Sequence, residues 1–185
     1  VKATITDYIG NNKSLGVASD LDDKSVTATI TNTSTKKSYE IAKDCITVTE
    51  KNGVWTAMLN TSNLTLKTGG EVNLADGKND GKYTVTIAAK DKVANTAEPK
   101  EAEFYIDTKA PEITKPTIKP EKDNVNRSGN WYSGNVTVTT TITDYIGGDK
   151  ELGVASGINN ESVIATITNT TTKKSYEVSN KCITL

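Results

Sequence analysis

The chain has 185 residues, a formal net charge of -1, two cysteines and no histidine. That balance offers no basic surface to attract nucleic acid, and no apolar run is long enough to insert into and span a bilayer, so neither partner is expected. Without histidine, a Ser-His-Asp or Cys-His catalytic arrangement and a histidine-based zinc site are both excluded, and two cysteines alone cannot complete a structural zinc site.

Period-two alternation runs along most of the chain and predicts strands. "VKATITDY" opens as the first. The loop "DYIGNNKSLGVAS" follows, with Tyr8 expected over the rim of a core and Leu15 expected to plug it. "SDLDDKS" reads as a solvated turn before the strand "SVTATITNT" (residues 25–33), then "KKSYEI" and "CITVTE". A Lys-Asn-Gly turn leads into "GVWTAML", where Trp55 alternates with Ala57 and Leu59 and reads as core. "NLTL" precedes a turn at Gly69 and Gly70. "GKYTVTIAAKD" is the strongest strand, with Tyr83, Val85, Ile87 and Ala89 on one face. "EAEFYIDT" follows, with Ala102, Phe104 and Ile106 expected inward. No window carries a helical stripe, and short helical turns fit only "SNLT" or the loop after Gly16. Threonine dominates the composition, which suits half-buried strands: its methyl packs and its hydroxyl faces water.

The phrase "ATITNTSTKKSYE" (residues 28–40) returns as "ATITNTTTKKSYE" (residues 165–177) with one change. Residues 1–48 align with 138–185 without a gap, sharing "TITDYIG", "LGVAS" and "CIT". The repeat has a period of 137 residues, far longer than the roughly 20–50 residues of a solenoid repeat, so each copy can fold by itself. Between the copies, "DTKAPEITKPTIKP" carries three of the four prolines, which stiffen an extended connection. The expected division is a first module over 1–113 without its leading strand region, a proline-rich linker over 114–117, and a second, incomplete copy over 118–185. The chain is expected to be an excerpt of a longer repetitive protein.

One segment carries a family resemblance. "YTVTIAAKDKVANTAEPKEAEFYIDTKAPEI" (residues 83–113) closely resembles the closing part of bacterial immunoglobulin-like repeat domains, which occur in tandem on secreted and cell-wall proteins, adhesins and multidomain glycan-degrading enzymes. Their pattern is a tyrosine-led strand, a turn of the Asp-x-x-Gly-Asn kind, a second strand, then Asp-Thr-x-Ala-Pro before the next module. Here the turn is Asp91, Lys92, Val93, Ala94 and Asn95, with Ala94 where the family usually has glycine, and the junction is Asp107, Thr108, Lys109, Ala110 and Pro111. The resemblance implies an all-β fold, an immunoglobulin-like Greek-key β-sandwich in tandem modules, with a spacing or adhesive role and no catalytic residues to carry over. The turn chemistry agrees with it, because Asp91 and Asn95 can cap backbone amides and tolerate unusual dihedrals.

Calcium is the cofactor candidate to weigh; otherwise no cofactor is expected. Asp20, Asp22 and Asp23 cluster, but the second copy has Gly157, Asn159 and Asn160 in their places. Asp76, Asn79 and Asp80 use the vocabulary of a calcium loop without its spacing or closing glutamate. Asp107 at the junction suits either an ion between modules or a hydrogen bond that fixes the linker. Nothing marks the carboxylate pair a glycosidase needs, and no enzyme is expected. Cys45 and Cys182 occupy equivalent positions and are expected to be buried free thiols, with a disulfide between chains as the alternative. Trp55, Trp131 and Tyr132 are the candidates for a platform facing a glycan or a host protein, with a core position as the other reading of Trp55 and packing beside the linker as the other reading of Trp131 in "NWYSGN". The function the resemblance implies is a structural spacer or stalk at the bacterial cell surface, in the cell wall or in a secreted protein, with neighbouring immunoglobulin-like modules as partners. The alternatives are an adhesin-type binding module, an accessory domain of an extracellular enzyme, and a self-assembling fibre subunit.

Overall fold

Alternating sequence becomes antiparallel strand wherever it pairs in the computed structural model, which describes residues 1–8, 12–16, 18–121 and 127–185. In chain order the first repeat supplies β1 (Lys2–Thr6), β2 (Leu21–Asn32), β3 (Ser38–Glu40), β4 (Ile46–Lys51), β5 (Val54–Leu59), β6 (Leu64–Thr65), β7 (Glu71–Val72), β8 (Gly81–Asp91) and β9 (Lys100–Ile106). One sheet has the order β1-β5-β4 and a second has the order β3-β2-β8-β9, while β6 and β7 form a small hairpin. Among the described residues, the only helical pieces are three-residue 3-10 turns, such as Lys13–Leu15 and Lys43–Cys45.

One apolar cluster joins the two sheets. Ile46, Ala57 and Leu59 come from the first sheet, and Val26, Ala28, Ile30, Tyr39, Tyr83, Val85, Ile87 and Ala89 from the second. The alternation of β8 decides this arrangement: its odd positions are buried, and Tyr83 stacks on Phe104 of β9 at 5.3 Å between ring centroids. Trp55 packs half-buried against the same cluster. Asn52 and Gly53, both at positive φ (56° and 74°), close the β4–β5 hairpin, as the Lys-Asn-Gly signal requires.

Three expectations need correction. The acidic stretch is not a turn: β2 begins at Leu21, so Asp22 and Asp23 lie on a strand, with a register shift between Asp22 and Thr27 absorbing the polar residues. Ala102 is exposed, since β9 is the outer strand of its sheet, and only Phe104 and Ile106 of the expected three pack on the core. Leu15 is 59% exposed and plugs nothing, because it rides on a 3-10 turn held by local bonds alone. Parts of that loop, residues 9–11 and 17, lie outside the described residues.

The second repeat builds β10 (Glu112–Ile113), β11 (Thr117–Pro120), β12 (Arg127–Ser128), β13 (Trp131–Tyr132), β14 (Val136–Thr139), β15 (Ile142–Thr143), β16 (Thr166–Thr168) and β17 (Ser175–Glu177). β10 pairs with β15 and β11 with β14, so residues 112–120 run antiparallel to 136–143 with an irregularity between the two pairs. Glu112 and Ile113 therefore pair with the second repeat's strands.

The repeated phrase folds the same way twice. In each copy an asparagine caps the hairpin bend: Ser34 N and Thr35 N donate to Asn32 Oδ1 at 3.0 and 2.9 Å, and Thr171 N and Thr172 N donate to Asn169 Oδ1 at 3.0 and 2.9 Å. Lys36 and Lys173 take the left-handed position at φ 59° and 58°. A hydroxyl pair crosses each hairpin, Thr31 to Ser38 at 2.8 Å and Thr168 to Ser175 at 2.9 Å. Such closely spaced side-chain and backbone bonds explain why this polar phrase is spelled out in full.

Candidate functional site

The place where the repeats meet is built from three short segments: the loop before β8, the residues after β9, and the 3-10 turn Ile146–Gly148 of the second repeat. Asp80 clamps the exit of β9. Its carboxylate accepts the Thr108 hydroxyl at 2.9 and 3.0 Å and the Thr108 amide at 3.2 Å. Next to it, Asp107 Oδ1 accepts the Lys109 amide at 3.2 Å and, across the repeats, the Gly147 amide at 3.0 Å. Gly147 is at φ 64°, and a Cβ there would lie 3.0 Å from the Asp80 Cβ. Glycine is therefore required twice over, by the backbone and by the approach of the two repeats. Ile146 and Asp144, beside it, are buried at 2% and 8% exposure. Pro111 follows, exposed, immediately before β10.

A second polar cluster closes the end of the first repeat. Asp91 accepts the Ser19 hydroxyl at 2.6 Å, the amides of Val93 and Asn95 at 3.0 and 2.7 Å, and the Asn95 side chain at 2.7 Å. Those bonds, the Ser19 hydroxyl foremost, hold its carboxyl below the usual carboxylate range. Ala94 sits at φ 71°, so the turn keeps the left-handed conformation that glycine would take at no cost. Asp20 has its own partners: Lys92 Nζ at 2.8 Å, Trp55 Nε1 at 2.9 Å and the Leu21 amide at 3.0 Å. The Lys92 hydrogen bond leads in lowering its pKa. The alternation around Trp55 pointed to a core or platform role and carried no sign that its indole N–H anchors Asp20.

The calcium candidates are each engaged in hydrogen bonds of their own. Asp22 accepts the Lys24 amide at 3.1 Å, Asp23 takes the Lys43 ammonium on its backbone carbonyl, and Asp76 accepts the Lys78 amide at 2.8 Å and the Asn79 side chain at 3.0 Å. Among the described residues, no group of three acidic, cysteine or histidine side chains comes together to hold a metal ion.

Both cysteines are free thiols. Cys45 is half-buried, and its sulfur accepts the Thr65 amide at 3.2 Å. Cys182 is exposed, contrary to the expected buried thiol. Trp131 does not pack beside the linker: it is 81% exposed, on β13 opposite Ser128. Tyr132 is half-buried, and its hydroxyl donates to the Ile118 carbonyl at 3.2 Å. No protein-family model, curated protein or solved structure matches the chain.

Proposed function

We propose that this chain is a stretch of tandem immunoglobulin-like β-sandwich modules that acts as a stiff spacer in a bacterial surface or secreted protein. The carrying observation is the bond from Gly147 N to Asp107 Oδ1, set beside the Asp80–Thr108 clamp. Together they tie the short proline-bearing connection to both repeats, and a tethered, proline-stiffened joint transmits direction where a glycine-serine linker would not. The chain's crossings between the two sheets, β1 to β2 and β3 to β4, support the Greek-key reading. The pairing of residues 112–120 with 136–143 favours a module division just after Ala110, ahead of the 114–117 linker read from the prolines. An extracellular setting belongs to the same proposal and rests on the family resemblance.

The test is a distance distribution. Spin labels on Lys51→Cys and Lys150→Cys, in a chain whose two native cysteines are serine, report across the joint. A narrow distribution that broadens with Asp107→Ala supports the spacer. A wild-type distribution as broad as that of a flexible linker overturns it.

A second reading rests on Trp131. An indole 81% exposed beside Tyr132 suits an adhesive contact with a glycan or a host protein. Binding to a glycan array that is lost in Trp131→Ala would favour it over a purely mechanical role.

A further inference from the structure

β1 is an edge strand, and its free edge has a definite polarity. Val1 exchanges both backbone bonds with Leu59, at 2.8 Å each, so the odd residues of β1 face β5. By the alternation of an antiparallel ladder, the amides and carbonyls of Lys2, Thr4 and Thr6 point to the opposite edge. Among the described residues no strand pairs there.

The second repeat shows this same edge filled. Thr141 aligns with Thr4, and its carbonyl accepts the Thr114 amide at 2.9 Å, while its own amide donates to Thr114 Oγ1 at 2.9 Å. In that pairing Ile113 stands opposite Ile142 and Ile118 opposite Val138, which align with Ile5 and Val1. Opposed residues of an antiparallel pair share a face. Ala3 and Ile5 put that face inward, against the core.

Directly beside the free edge, a groove of about 870 Å³ opens between the two sheets, with Ala3, Ile5, Ile87, Ala89 and Thr96 among its walls. A strand of the 112–120 kind laid on β1 in the observed register would place its first isoleucine, opposite Ile5, over this groove and its second opposite Val1. In the second repeat those isoleucines are 67% and 47% exposed.

We propose that the β1 edge and its groove form a strand-acceptor site, and that its occupant is the lead strand of a further copy of this repeat, an extended segment of the "EITKPTIKP" kind. Backbone pairing to Thr4 and Thr6 supplies the register, and the two isoleucines supply the apolar contact. The prolines suit an edge position, where a missing amide costs no ladder bond on the outer side. One threonine contact does not transfer: Thr140, whose hydroxyl donates to the Thr114 carbonyl at 2.6 Å, aligns with Ala3. The site depends on the repeat geometry and not on the spacer role, so its failure would leave the junction as described.

The test uses the whole chain and a fluorescent peptide of residues 110–121, "APEITKPTIKPE". Saturable binding is expected, with new protection of the Thr4 and Thr6 amides against hydrogen exchange. N-methylation of the peptide at the threonine equivalent to Thr114 removes the donor without touching the protein and should weaken binding about tenfold. Replacing both peptide isoleucines with aspartate should abolish it. Absent binding, binding indifferent to N-methylation, or binding without new protection at Thr4 and Thr6 would each overturn the proposal.

Discussion

Two hairpins in this molecule have almost the same sequence, the same capping bonds and opposite surroundings. In the first, Ile30 and Tyr39 are 0% and 5% exposed; in the second, their counterparts Ile167 and Tyr176 are 62% and 59% exposed. The difference lies outside the hairpins. β8 pairs along the first from Thr27 to Asn32, and among the described residues β16 pairs with β17 alone. Local bonds therefore suffice to shape the bend, while burial is contributed by a strand more than fifty residues further along the chain.

The strongest way to break this comparison is to delete the same apolar side chain in each copy. Ile30→Ala should destabilise the first repeat by about 2–5 kcal/mol, whereas Ile167→Ala should stay within about 0.5 kcal/mol, because only the first leaves a cavity. Urea denaturation followed through Trp55, with Trp131→Phe as background, measures both. Equal effects would mean that the second hairpin is also covered.

A smaller difference is expected at the caps. Asn32 is buried at 4% exposure, and Asn169 is exposed. Asn32→Ala leaves the Ser34 and Thr35 amides without their acceptor in a half-buried place and should cost about 1–3 kcal/mol. Asn169→Ala, where water can replace the cap, should cost well under about 1 kcal/mol. The same denaturation experiment reads the first; amide exchange at Thr171 and Thr172 reads the second.

Ala94→Gly tests the Asp91–Asn95 turn of the first repeat. Relieving the left-handed alanine should stabilise by about 1 kcal/mol, a gain seen as a higher urea midpoint. An unchanged or lower midpoint would show that the turn fits alanine without strain.

The smallest effect concerns pH. Asp20 and Asp91 both have folded-state pKa values below the ordinary 3.8, held down foremost by the Lys92 and Ser19 hydrogen bonds respectively. Depressed carboxylates contribute stability that is present above 3.8 and lost as pH falls through the lower folded values. Both groups are solvent-accessible, so the loss is modest. Gly157 stands at the second copy's equivalent of Asp20, so the Asp20 part of this acid response belongs to the first repeat. Asp91→Asn should flatten the decline in the first repeat's urea midpoint below about pH 4, and an unaltered decline would assign it to other groups.

Much of this was legible in the residues. The alternation of β8 announced its buried face, the Asn-Gly pair announced a hairpin, and the repeat announced two equivalent bends. The Asp91–Asn95 turn also matched its composition, since a carboxylate two and four residues before free amides caps them with little help from elsewhere. The candidate junction was only half legible. Asp107 stood out as a linker residue, but nothing in its neighbourhood pointed to Gly147, forty positions away. Nor could periodicity show that Ala102 overhangs the core or that Trp55 reaches Asp20.

By itself, the sequence determined what short-range chemistry decides: strand period, turn dihedrals, caps, and the equivalence of two segments. Tertiary structure alone decided which identical face is buried and which glycine amide Asp107 finds. Those outcomes depend on contacts between residues far apart in the chain, and such contacts leave no local pattern because any sufficiently apolar or polar partner could satisfy them.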